Sequence, residues 1–252
     1  MTALYKNLLF QIPATLKVKR ETLLFLLMGQ PALLMQIAHP LVARAVAEHS
    51  SYSEKPLQRL LNTYHLSMEL FTGSESEARQ AAATINRAHK PVRGPDYDAR
   101  DRALGQWVWA TLVYSVVMGH RLFFNPLIAE EQQTVLDTFR RRGRLLGLSQ
   151  ELPATVDELL GYVDEMIESG EVRVTSEARE VARPIMGELL FPLPGPLLPL
   201  TAYMARVALP AELRRQYGLS WNPLSQRAFR TLLRPGARLI LPHVSNELRC
   251  LR

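Results

Sequence analysis

The chain has 252 residues, a formal charge of +6 and a hydrophobic fraction of 47%. That is enough for one sizeable core, and it excludes a low-complexity or disordered polymer. The positive charge is nearly all arginine, spread along the sequence rather than gathered into a stripe, which argues against nucleic acid as a partner. A single cysteine, Cys250, rules out an internal disulfide, and the lack of Cys-x-x-Cys-His rules out covalently attached haem. The expected location is therefore cytoplasmic, with or without contact at a membrane surface.

In chain order, Met1–Arg20 reads as an amphipathic opening segment with no signal-peptide cleavage pattern. Thr22–Ala38 is strongly apolar, but Gly29-Gln30-Pro31 interrupts it, predicting a buried helix pair rather than a membrane span. His39-Pro40 marks a boundary, and Glu48-His49-Ser50 ends the next element. Pro56–Thr72 follows as a helix, with Ser53 as its expected cap. One of its lines, Arg59, Thr63, Leu66 and Leu70, is expected to be buried, placing a guanidinium and a hydroxyl among leucines. A buried cation needs a partner, so a carboxylate, a cofactor propionate, a substrate or water is expected there.

Gly73 should end that helix, and Ser74 with Glu77 reads as a capping box for the next. Ala78, Ala81, Ala82 and Ile85 would line its inner face, with His89 four residues further on. Alanines allow close approach of another helix or of a flat ligand. Pro91 and Gly94-Pro95 stop this helix, and Asp96–Asp101 makes a polar connection containing Tyr97. Arg102–Phe124 is a long helix with Trp107, Trp109 and Thr111, and Ile128–Leu146 is a further one closed by Gly147. Helices are expected from Thr155 to Ser169 and from Ser176 to Leu190. Pro192–Pro199 is an apolar, proline-dense loop that covers the core or rests on lipid. Thr201–Gly218, divided at Pro210, and helices from Asn222 to the end complete an all-α single domain of about ten helices, 1–252.

Six histidines are available. His65 falls on a polar strip, and His120 is expected at the surface or a helix end. His39 and His49 flank helix breaks, where a histidine usually meets a backbone carbonyl; with Glu48 they are the alternative ligands for a non-haem metal. His89 stands out by its company: the alanine face, Arg59 and Thr63. Residue types for an imidazole-ligated haem are present. Glu-x-x-His repeats for a di-iron centre, His-Glu-x-x-His, Gly-x-Ser-x-Gly, Walker and dinucleotide fingerprints are all missing.

Five segments together, Gln36-Ile37-Ala38-His39-Pro40, Val46-Ala47-Glu48-His49-Ser50, Arg59-x-x-x-Thr63, His89-Lys90-x-Val92-x-Gly94 and Trp107-Val108-Trp109-Ala110-Thr111-Leu112, resemble the DUF2236 family. This is the family of the MpaB-like oxygenases and the latex-clearing rubber oxygenases. The likeness runs from about Glu21 to Leu160. It implies an all-α fold, non-covalent haem b, and an oxygenase that acts with dioxygen on a small apolar, isoprenoid or lipid-like substrate. By motif, His89 would be the iron ligand and Arg59 and Thr63 would lie by the haem, Arg59 meeting a propionate, with Thr111 a further cofactor contact. Trp109 stands where many relatives have His, and Asn62 where the rubber oxygenases have lysine. The alternative reading is a non-catalytic haem- or lipid-binding helical module that contacts a membrane through Pro192–Leu209.

Overall fold

A computed structural model describes residues 20–49, 56–123, 126–148, 151–186 and 198–219, with isolated positions beyond. The opening segment, the Ser53 cap, most of the proline-dense loop, His243, Cys250 and the last helices expected from the sequence lie outside the described residues. The elements are α1 (Arg20–Ala38), α2 (Pro40–His49), α3 (Pro56–Thr72), α4 (Glu75–His89), α5 (Arg102–Phe123), α6 (Ala129–Leu145), α7 (Val156–Glu168), α8 (Ser176–Met186), α9 (Leu198–Ala208) and α10 (Ala211–Gln216). Among the described residues there is no strand, only an isolated bridge between Arg93 and Asp98. The fold is all-α, and no described helix is long and apolar enough to cross a membrane.

Helix α1 is the axis of the molecule. It packs against α2, α3, α5, α8 and α9, and buries Leu24, Met28, Leu34, Met35, Ile37 and Ala38. The break expected at Gly29-Gln30-Pro31 does not occur: Pro31 lies inside one continuous helix. An interior proline costs about 3 kcal/mol. Burying each large side chain of α1 returns roughly 1.5–3 kcal/mol, so packing overrides the local preference. Helix α9 likewise begins at Leu198, so its Pro199 sits in a first turn, where proline loses no needed donor.

The C-terminal end of α1 is buried, and its carbonyls meet partners from distant parts of the chain. Trp107 Nε1 donates to Met35 O at 3.1 Å, Tyr217 Oη to Leu34 O at 2.8 Å, and Arg173 N to Ala38 O at 2.9 Å. Burial pushes the Tyr217 phenol well up, against an opposing pull from Arg179. Higher on the helix, Gln30 Nε2 donates to Ile185 O at 2.8 Å and ties down the end of α8.

His39 occupies the bend between α1 and α2, and its Nδ1 accepts from Leu41 N at 3.3 Å. Pro40 follows as the first residue of α2, as expected. The ring is buried, with Nε2 facing Glu171 at 3.9 Å. His120 lies in the last turn of α5, one of the two expected positions, but is buried rather than at the surface, because this helix packs on α1.

Two predictions follow from this packing. Trp107→Phe removes the partner of Met35 O in the last turn of α1 and should lower stability by about 1–3 kcal/mol. Trp109→Phe should cost less, because Phe139 O, which accepts from Trp109 Nε1 at 2.9 Å, lies inside α6 and keeps its helical partner. Urea unfolding of both variants gives the order. Burial also lowers the His39 pKa below its ordinary 6.5, against the opposing pull of Glu171. The unfolded chain therefore binds a proton more readily than the folded one. Stability should be full above about pH 6.5 and fall as pH drops toward the folded pKa. His39→Gln should flatten that slope in urea titrations between about pH 5 and 7.5.

Candidate functional site

Helices α3 and α4 pack on each other and are joined only by Gly73 and Ser74, which makes an antiparallel hairpin. Ser74 Oγ accepts from Glu77 N while Glu77 Oε2 accepts from Ser74 N at 2.7 Å, the capping box expected from the sequence. A Cβ on Gly73 would lie 2.4 Å from Glu69 O, so only glycine fits this turn. Arg142 of α6, itself buried, clamps the same end, donating to Glu75 Oε2 at 2.6 Å and to Gly73 O at 3.2 Å.

The hairpin decides what lies at its other end. Arg59 is 14 residues before Gly73 and His89 is 15 residues after Ser74. At 1.5 Å per residue both positions stand roughly 20 Å from the turn, so the fold carries Arg59 and His89 to the same end of the helix pair. Thr63 lies one turn closer to the middle of α3. The side chain of Arg59 is outside the described residues.

The enclosure expected around this end is absent among the described residues. His89 is exposed, and so are Thr63 and Asn62. For His89 the cause is length. Helix α6 covers the alanine face of α4 only as far as Asn86, whose Nδ2 donates to Leu145 O at 3.1 Å, and Leu145 is the last residue of α6. Helix α4 then runs on past its neighbour. Thr63 stands on the same line as Leu70, seven residues on, so its wheel position does not set its exposure. Among the described residues of α3, Leu70 and Phe71 are buried, and Phe71 stacks on Phe139 at 4.3 Å. His65 is solvated beside Glu69, at 3.2 Å, as expected.

The alanine face is occupied by protein. Ala78, Ala81 and Ala82 are buried, and the last two belong to the main core between α3, α4 and α6. These alanines allow helices, not a flat ligand, to approach closely. Thr111 is fully buried in α5, and its hydroxyl donates to Val108 O at 2.7 Å. Trp109 is a core anchor rather than a lining group, since its indole is held by α6.

The loop after His89 is more ordered than its composition suggests. Val92 N closes a turn on His89 O at 3.0 Å, Gly94 N donates to Tyr97 O at 2.8 Å, and Ala99 N to Val92 O at 2.9 Å. The Tyr97 ring lies on Gly94, where a Cβ would be 2.4 Å from it. Tyr97 Oη donates to Glu48 Oε2, and Arg44 pairs with Asp96. Two residues of α2 thus fasten this loop, and burial followed by the Glu48 contact pushes the Tyr97 phenol up to about 12. Sequence reading noted Tyr97 as the odd aromatic in a polar connection but not its partners. Its only signal was a glycine three residues before a tyrosine.

His39, His49 and Glu48 do not form a metal site: His39 faces Glu171, His49 sits edge-on to Tyr97 at 6.0 Å, and Glu48 is taken by the phenol. Among the described residues no group of three or more metal-ligating side chains converges. Toward a haem, the donor chemistry fits: an accessible imidazole at the end of α4 and an arginine position at the same level of α3. The described residues supply no apolar walls around that imidazole.

Comparison with curated proteins and with solved structures gave no match. Residues 17–238 match the family described as ER-bound oxygenase mpaB/B'/Rubber oxygenase, catalytic domain. That span is most of the chain and contains all ten described helices, from Arg20 to Gln216. The chain belongs to this oxygenase family.

Proposed function

We propose that the protein is a haem b-dependent oxygenase that acts with dioxygen on an apolar, isoprenoid or lipid-like molecule. The observation that carries this reading is the α3–α4 hairpin. It gathers the Arg59 and His89 positions at one end of a helix pair, within the span that matches an oxygenase family.

In this reading the imidazole of His89 would hold the iron. Arg59, whose backbone position lies at the same level of α3, would pair with a propionate, and Thr63 would offer a hydroxyl a turn along. Haem, when bound, would supply the iron centre at which dioxygen is activated. The chain's own contribution is position. The capping box and the Arg142 clamp fix one end of the hairpin, and the Tyr97–Glu48 and Arg44–Asp96 contacts fix the loop leaving His89. The imidazole therefore sits between two anchored segments and can be aimed without depending on a long flexible loop. Thr111 contributes by holding α5, since its hydroxyl proton is used within its own helix.

The test is an absorption spectrum of protein produced with haem supplied. Wild type should show a Soret band. His89→Ala should weaken haem retention at least tenfold, with partial recovery on adding imidazole. A wild-type protein that stays colourless overturns the proposal. Haem retained without oxygen uptake in the presence of a polyisoprenoid alkene would favour the non-catalytic binding module instead.

A further inference from the structure

Just beyond His89 the chain makes one strongly charged surface. Arg87, Lys90, Arg93 and Arg100 surround a shallow groove of about 330 Å3 with Pro91 in its lining, and all five residues are exposed. Arg100 is tied to Asp98 through Nε and Nη2, at 3.0 and 2.6 Å. Asp98 is also within electrostatic reach of Arg93. Arg87, Lys90 and Arg93 form no ion pair with a carboxylate among the described residues. The negative end of α4 favours cations at Arg87 and Lys90, but this field fades within a turn and does not account for Arg93 and Arg100. The carboxylates Asp96, Asp98, Asp101 and Glu171 line a neighbouring groove with His39. Arg100, held by Asp98, joins the two surfaces, while Arg87, Lys90 and Arg93 line only the basic groove.

We propose that the surface formed by Arg87, Lys90, Arg93 and Arg100 docks the protein on an anionic membrane, with lipid head groups seated among the four cations. The lining is mainly apolar although four of its five residues are basic. Such side chains suit the boundary between head groups and acyl chains. No aromatic side chain lines the groove, so a nucleic acid would find no stacking platform. The surface also lies at the His89 end of α4, where an apolar substrate drawn from lipid would have to arrive. This last point rests on the proposed function; the charge argument does not.

The full chain is spun with vesicles of phosphatidylcholine alone and of phosphatidylcholine with phosphatidylserine. Binding should need phosphatidylserine and should vanish near 1 M salt, where the Debye length is about 3 Å. The combined variant Arg87→Glu, Lys90→Glu, Arg93→Glu should lower partitioning roughly hundredfold or more. Arg79→Glu, Arg141→Glu, Arg215→Glu changes net charge equally at scattered exposed sites and should lower it far less. Circular dichroism and thermal melts check that both variants fold. Equal loss in the two variants, binding to phosphatidylcholine alone, or no vesicle binding overturns the proposal, as does binding of an oligonucleotide in place of vesicles. Haem spectra of the same samples separate the two ideas: a colourless wild type that still needs Arg87, Lys90 and Arg93 to bind vesicles leaves docking standing while the oxygenase reading falls.

Discussion

The structure depends on satisfying the buried C-terminal end of α1. The last carbonyls of any helix lack helical donors, and here that end is surrounded by protein instead of water. Met35 O and Ala38 O are met by Trp107 of α5 and by Arg173 between α7 and α8, and Tyr217, just after α10, adds a second donor to Leu34 O one residue further in. Each bond adds only about 1 kcal/mol, but an unmet buried carbonyl would cost more than that. Residues far apart in sequence therefore have to assemble together around one helix end. This explains why the fold buries a helix that local rules would break: Pro31 is tolerated because α1 is held from every side.

That constraint also places the hairpin. Helices α1 and α5 fix each other through Trp107, and α6 packs on α5, where Trp109 reaches Phe139 O. From α6, Arg142 then grips the turn between α3 and α4. Hydrogen bonds thus run from the buried core out to the part-buried turn of the hairpin, and His89 lies at the other end. Among the described residues, support at one end and the exposure of His89 at the other follow from where α6 stops.

Much of this was legible in the sequence where a local signal coincided with the structure. Ser74 with Glu77, Thr155, Gly147 and Pro210 marked helix ends that the structure keeps, because capping depends on neighbours within four residues. The misreadings all involve distant partners. Gly29-Gln30-Pro31 looked like a break because periodicity cannot report how completely α1 is enclosed. Thr63 and His89 looked internal because a helical wheel assigns faces without saying how far the neighbouring helix extends. Tyr97, Glu48, Arg44 and Asp96 were invisible as a set, since the contacts span about fifty positions and follow no period.

The exposure of His89 bears directly on what the oxygenase reading requires. An imidazole can bind iron from an open position, since ligation depends on the ring nitrogen and not on burial. Selective chemistry on an apolar molecule requires more, because a water-filled site neither desolvates the substrate nor holds it against the reacting centre. The described residues provide the position of the proposed ligand, the arginine level and the anchored loop, but not the walls. On the proposed reading, iron ligation and substrate selection would therefore be separable. The first would rest on the hairpin, and the second on whatever closes over the end of α4. A lipid surface lying against Arg87, Lys90 and Arg93 would itself present an apolar phase close to that end. On this view the proposed cofactor position and the proposed docking surface answer the same physical need from two sides.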